Sequence, residues 1–132
     1  MKFLKNTLLP ILILLTAVIT ILKFFKKPIN KLSEIGSTIS TDEANFIAQS
    51  LYNAMYNFGT DEAKIFDLLS NLTKPNFNKI YNSFGTKYYN EETGSYGNPL
   101  LDDNLDLWGW LNSELTGDEI KELMLLNPVI FT

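Results

Sequence analysis

The sequence predicts an all-α protein: an N-terminal transmembrane helix followed by a five-helix domain. Three observations predict this. The first 27 residues are dominated by an uncharged apolar run. Beyond it, apolar residues recur at helical spacing between repeated helix-start signals. No sustained two-residue alternation of the kind a half-buried strand needs is present.

The apolar run comes first in the chain. Leu4 to Phe25 holds 14 Leu, Ile, Val or Phe residues, and Thr7 to Leu22 carries no charge. As a helix, Leu4 to Phe25 would extend about 33 Å, enough to cross the hydrocarbon layer with Lys5 and Lys23 reaching toward the headgroups. Its apolar side chains favour insertion by about 4 to 8 kcal/mol. The rival reading, a cleaved signal peptide, needs a small-residue cleavage site; here the apolar run is followed by Lys23-Phe-Phe-Lys-Lys27. An uncleaved single-pass anchor is therefore expected. Lys23, Lys26, Lys27 and Lys31 on one side, against Lys2 and Lys5 on the other, favour a cytoplasmic C-terminal domain. The organisation expected is a transmembrane anchor with flanking lysines over 1–27, a linker over 28–39 and a helical domain over 40–132.

Each helix of that domain has its own signal. Ser40 and Glu43 have capping-box spacing, and Ile47, Leu51, Ala54, Met55 and Phe58 form one apolar stripe behind them. Gly59 stops this helix and Thr60 caps the next, whose buried face is Ile65, Leu68, Leu69 and Leu72. Thr73 caps a third helix with Pro75 in its first turn and Phe77, Ile80, Tyr81 and Phe84 inward. Asn90 to Pro99 reads as a surface loop. A fourth helix is expected from Leu101 to Glu114, and a fifth behind the Thr116/Glu119 capping box, with Ile120, Leu123, Met124 and Leu126 inward and a stop at Asn127-Pro128. Thr41-Asp-Glu-Ala44 and Thr60-Asp-Glu-Ala63 are two uses of the same capping chemistry.

Composition excludes several functions. The chain has no Cys, no His and, since all 11 basic residues are Lys, no Arg. That removes thiolate chemistry, the usual general base and zinc ligand, and bidentate phosphate clamps. Residues 1–31 carry six Lys and no acid, whereas residues 32–132 carry five Lys and 15 acids, a net charge of −10. An acidic domain argues against nucleic-acid binding, which needs a positive face. No nucleophile has an evident base and no phosphate-binding loop is present, so no enzyme and no catalytic residues are expected. Asp102, Asp103 and Asp106 suit the positive N-terminal end of a helix.

Four stretches taken together resemble one annexin repeat: Ala54-Met-Tyr-Asn-Phe-Gly-Thr-Asp-Glu62, Ile65-Phe-Asp-Leu-Leu69, Leu100-Leu-Asp-Asp103 and Ser113-Glu-Leu-Thr-Gly117. The resemblance covers about residues 41–126. It implies a calcium site built from the carbonyls of Met55, Asn57 and Gly59 with the carboxylate of Glu114, oxygen ligands that suit a hard cation. Asn57 stands where the family has the first glycine of the turn, and the segment before Glu114 is about 15 residues longer than in a typical annexin repeat. The same residues also read without an ion: Gly59 as a helix stop, Asp61 and Glu62 as an acidic first turn, and Glu114 as a surface carboxylate.

The function expected is that of a membrane-anchored structural or interaction protein, an accessory subunit of a larger membrane assembly such as a bacterial membrane complex or a membrane-containing phage particle. Its partners would be the bilayer, through residues 4–25, and a protein or further copies of itself. Trp108 and Trp110 lie two apart on one helix and cannot share a face, so one of them is expected as an exposed aromatic anchor. The alternative is calcium-dependent phospholipid binding or membrane bridging, with calcium the only cofactor implied.

Overall fold

The computed structural model describes residues 29–56 and 58–132. The predicted span, Leu4 to Phe25, lies outside the described residues, and among those described no helix is long and apolar enough to cross a membrane.

The domain is not all-α. Five α-helices are present, but a three-stranded antiparallel sheet sits between the third and fourth, which corrects the expected five-helix annexin-like architecture. In order, the elements are α1 (Thr41–Met55), α2 (Glu62–Leu69), α3 (Lys74–Phe84), β1 (Lys87–Asn90), β2 (Ser95–Tyr96), β3 (Asp103–Leu105), α4 (Leu107–Glu114), α5 (Gly117–Leu126) and a 3-10 turn (Pro128–Phe131). The sheet order is β2-β1-β3, with Tyr89 opposite Tyr96 on one side and Asp103 on the other.

The sheet arises where helix-forming chemistry fails. Gly85 ends α3 at φ 65°, a conformation that L side chains rarely adopt. Tyr88 and Tyr89 follow, aromatic residues suited to a strand and both buried. Asn90 then closes a hairpin: its Oδ1 accepts from the backbone N–H groups of Glu92 and Thr93. The predicted fourth helix is thereby shortened. Its first residues become β3, and Asp106 caps α4 by accepting from the Gly109 N–H at 2.9 Å.

The remaining helix starts follow their cap signals. Ser40 accepts from the Glu43 N–H and Thr73 from the Asn76 N–H. Thr116 and Glu119 form the complete capping box. The Thr116 backbone N–H, with its hydroxyl, holds the exposed Glu119 carboxyl below the usual carboxylate range. At α2 the cap is Asp61 rather than Thr60.

The core is centred on Leu51, Met55, Ile65, Phe77, Ile80, Phe84, Trp110, Leu111 and Leu123, which are all but fully buried. Each such side chain contributes about 1.5–3 kcal/mol on leaving water. Three expected core positions differ. Phe58, beyond the end of α1, is 82% exposed, and Met124 and Leu126 are exposed while Leu123 alone is fully buried in α5. The inward face of α5 is narrow because the chain turns at Asn127 and inserts Ile130 beside it.

Residues 29–39, expected as a linker, run along α3 as an ordered strap. Asn82 Oδ1 accepts from the Leu32 N–H at 2.9 Å, and Asn82 Nδ2 donates to the Leu32 carbonyl at 2.8 Å. Asn78 donates to the Ser33 carbonyl, Asn76 accepts from the Thr38 N–H, and Lys79 donates to the Ile39 carbonyl. Ile29, Leu32 and Ile39 pack against the core from this strap.

Two outcomes are expected. Asn127 is buried and its Nδ2 donates to the carbonyls of both Leu69 and Leu72. Asn127→Ala should lower the unfolding free energy in urea by about 2–3 kcal/mol, because a buried and a part-buried carbonyl lose their donor. Tyr81 donates to Asp106 Oδ2 at 2.8 Å; burial first, then that carboxylate, pushes its hydroxyl up to about 12. A raised folded value means this contribution is complete below pH 10 and disappears as pH rises toward 12. Tyr81→Phe should cost about 1–3 kcal/mol at neutral pH, and its stability curve should fall less than the wild type's between pH 10 and 12.

Candidate functional site

The carboxylate of Glu114, the last residue of α4, joins three separate parts of the domain. Its Oε2 accepts from the Thr60 hydroxyl at 2.5 Å, and its Oε1 accepts from the Tyr89 hydroxyl at 2.7 Å. Thr60 belongs to the α1–α2 turn and Tyr89 to β1. The structure thus brings Glu114 to the turn at Gly59, as the sequence pairing expects, through the residue after the glycine.

Each partner is placed by a local cause. Gly59 has φ 87° and reverses the chain after α1. The Asp61 N–H donates to the Ala54 carbonyl at 2.8 Å, which folds the turn back on α1 and leaves Thr60 facing α4. Tyr89 is set by Trp110, whose ring meets it edge-on at 4.8 Å and 82°. Trp110 also meets Tyr52 at 5.2 Å and donates from Nε1 to the Lys87 carbonyl at 3.2 Å. Burial, followed by the hydrogen bond to Glu114, pushes the Tyr89 hydroxyl well above the ordinary phenol value. It therefore remains a donor at all physiological pH values.

Of the other expected calcium ligands, Met55 is fully buried, Gly59 is exposed and Asn57 lies outside the described residues. Among the described residues no group of three or more His, Cys, Asp or Glu side chains is arranged to hold a metal. A site with one carboxylate and backbone carbonyls would not form such a group in any case. The donor set is the more direct test of fit: both Glu114 oxygens already accept from hydroxyls, so an ion would compete with Thr60 and Tyr89 for them.

The two tryptophans take structural positions. Trp110 is fully buried; Trp108 is half-buried between Phe77 at 5.1 Å and Phe131 at 4.9 Å. Neither is the exposed anchor their spacing suggested, because Tyr52, Phe84 and Tyr89 pack on Trp110 while Phe77 and Phe131 flank Trp108. The large apolar side chains most exposed elsewhere on the domain are Ile35, Phe46, Phe58, Leu100, Leu101 and Leu125. Helical periodicity marks residues that face inward, so it gave no sign of these as surface residues and placed Phe58 inside.

Lys87 supplies the remaining unusual environment. Its Nζ lies 4.2 Å from the centre of the Phe84 ring and donates to the Phe84 carbonyl at 2.6 Å, closing the C-terminal end of α3. Burial pushes its ammonium below the usual lysine value. Two clefts open beside the sheet. One, of about 360 Å³, is walled by Glu91, Glu92, Asp102 and Asp103; the other, of about 300 Å³, lies between Ile29, Tyr81, Thr86 and Asp106.

Comparison with protein-family models, curated proteins and solved structures gives no match. The annexin resemblance accordingly rests on the four quoted stretches alone.

If the carboxylate acts as a structural tie, Glu114→Gln should lower the midpoint of thermal unfolding by an amount corresponding to about 1–3 kcal/mol, equally in calcium and in chelator. A destabilisation seen only in calcium would identify an ion at Glu114.

Proposed function

We propose that this chain is a membrane-anchored structural or interaction protein, whose N-terminal apolar run holds it in the bilayer and whose α+β domain makes protein contacts as part of a larger assembly. The observation that carries the reading is the set of large apolar side chains left on the domain surface: Phe46, Phe58, Leu100, Leu101 and Leu125 are each at least 70% exposed. Such residues contribute most when covered by a partner. Glu114, Asp106 and Asn82, by contrast, are engaged within the domain.

Calcium-dependent lipid binding is the second reading, favoured by one contact, that of Glu114 with Thr60 beside the Gly59 turn. On that reading the domain would bridge to an anionic membrane only with calcium present.

One series of measurements separates these. The full chain should stay with membranes after alkaline extraction, and Leu14→Arg with Val18→Arg should release it, since each central charge costs about 2.5–3.5 kcal/mol of insertion. In mild detergent the protein should run well above its 15.0 kDa protomer mass after correction for detergent. Phe58→Lys and Leu125→Lys should reduce that size. A lone protomer under all conditions would remove the assembly reading. Calcium-dependent recruitment of anionic vesicles, lost in Glu114→Gln, would establish the second.

A further inference from the structure

The strap gives the domain a definite face toward the point where the chain leaves the apolar run. Phe25 ends that run and Ile29 is already packed on the core. Three residues lie between them, and the four steps of extended chain cover at most about 14 Å. The strap then runs antiparallel to α3: Leu32 is held at Asn82, Ser33 at Asn78 and Thr38 at Asn76. Ile29 and Asn30 therefore lie at the C-terminal end of α3, where they wall one cleft together with Tyr81, Thr86 and Asp106. The start of α3, near Asn71 and Lys74, is about 16 Å away along the helix.

We infer that the end of the domain formed by Ile29, Asn30, Tyr81, Thr86 and Asp106 is the surface that lies against lipid headgroups, held in place by the clasp of Asn82 on Leu32. The inference rests on the anchoring reading above. Charge gives the clasp its task. Lys23, Lys26, Lys27 and Lys31 attract anionic headgroups, whereas residues 32–132 carry a net charge of −10 and are repelled by them. A flexible tether would let the acidic domain swing outward. A strap bonded through both the N–H and the carbonyl of Leu32 keeps one end of it down.

The chain contains no Cys, so single labels can be introduced without background. The full chain is reconstituted in phosphatidylcholine–phosphatidylglycerol vesicles carrying a nitroxide quencher on the headgroup, with a fluorophore on Asn30→Cys, Thr86→Cys or Asn71→Cys. Asn30 and Thr86 labels should lose most of their emission and the Asn71 label little. Adding Asn82→Ala should relieve quenching at Thr86 while leaving it at Asn30. Strong quenching at Asn30 with Thr86 no more quenched than Asn71 overturns the inference and leaves the anchor intact. Absence of quenching at all three positions, with the chain not retained on vesicles, overturns the anchoring reading itself.

Discussion

A segment without helix or strand must find other partners for its peptide groups, and α3 provides them for residues 29–39. The side chain of Asn82 meets the Leu32 peptide groups as a neighbouring strand would, with one donor and one acceptor. Asn78, Lys79 and Asn76 continue along the helix. This explains an otherwise odd composition for a buried helix: Asn76 and Asn78 are nearly enclosed, positions where an apolar residue would ordinarily stand. Replacing them with leucine would satisfy periodicity and leave the strap without partners. With the strap in place, Ile29, Leu32 and Ile39 complete the core beside α3.

The parts of this fold that were legible in the sequence are those governed by local chemistry. Ser40, Thr73 and Thr116 each cap the helix their position implies, whereas α1 ends at Met55, before the glycine expected to stop it. The sheet was not legible. Its strands are four, two and three residues long, too short to show alternation, and both tyrosines of β1 are buried. Leu101 to Leu105 reads as the start of a helix because Asp102 and Asp103 suit a first turn, yet pairing with β1 prevails and moves the helix start to Leu107. The strap was equally hidden. Its partners lie about 40 to 50 residues away in sequence, and asparagine in a helix carries no sign of what it binds.

The Glu114 site shows a similar division. That Glu114 meets the Gly59 turn was implied by the resemblance to an annexin repeat, and the contact comes through Thr60. That Tyr89 would take its second oxygen was not, because Tyr89 reaches it from the unforeseen sheet. Two hydroxyl donors on one carboxylate make a cross-brace between turn, sheet and helix, and the edge-on packing of Trp110 fixes the tyrosine that completes it. The aromatic residues that looked like contact anchors are therefore used inside the domain. The most exposed large apolar side chains are instead aliphatic and phenylalanine residues such as Phe46, Phe58, Leu101 and Leu125.

The closing turn of the chain has a kinetic consequence. Asn127 bonds the carbonyls at the end of α2 and Ile130 fills the core beneath them, so this core cannot close until residues beyond 127 have emerged during synthesis. The apolar run ending at Phe25 emerges roughly 100 residues earlier, which at ordinary elongation rates is about 5–20 s. For that interval the run is available to a membrane while the domain behind it is still unfolded. On the anchored reading proposed above, the run would enter the membrane before the domain closes around Asn127 and Ile130.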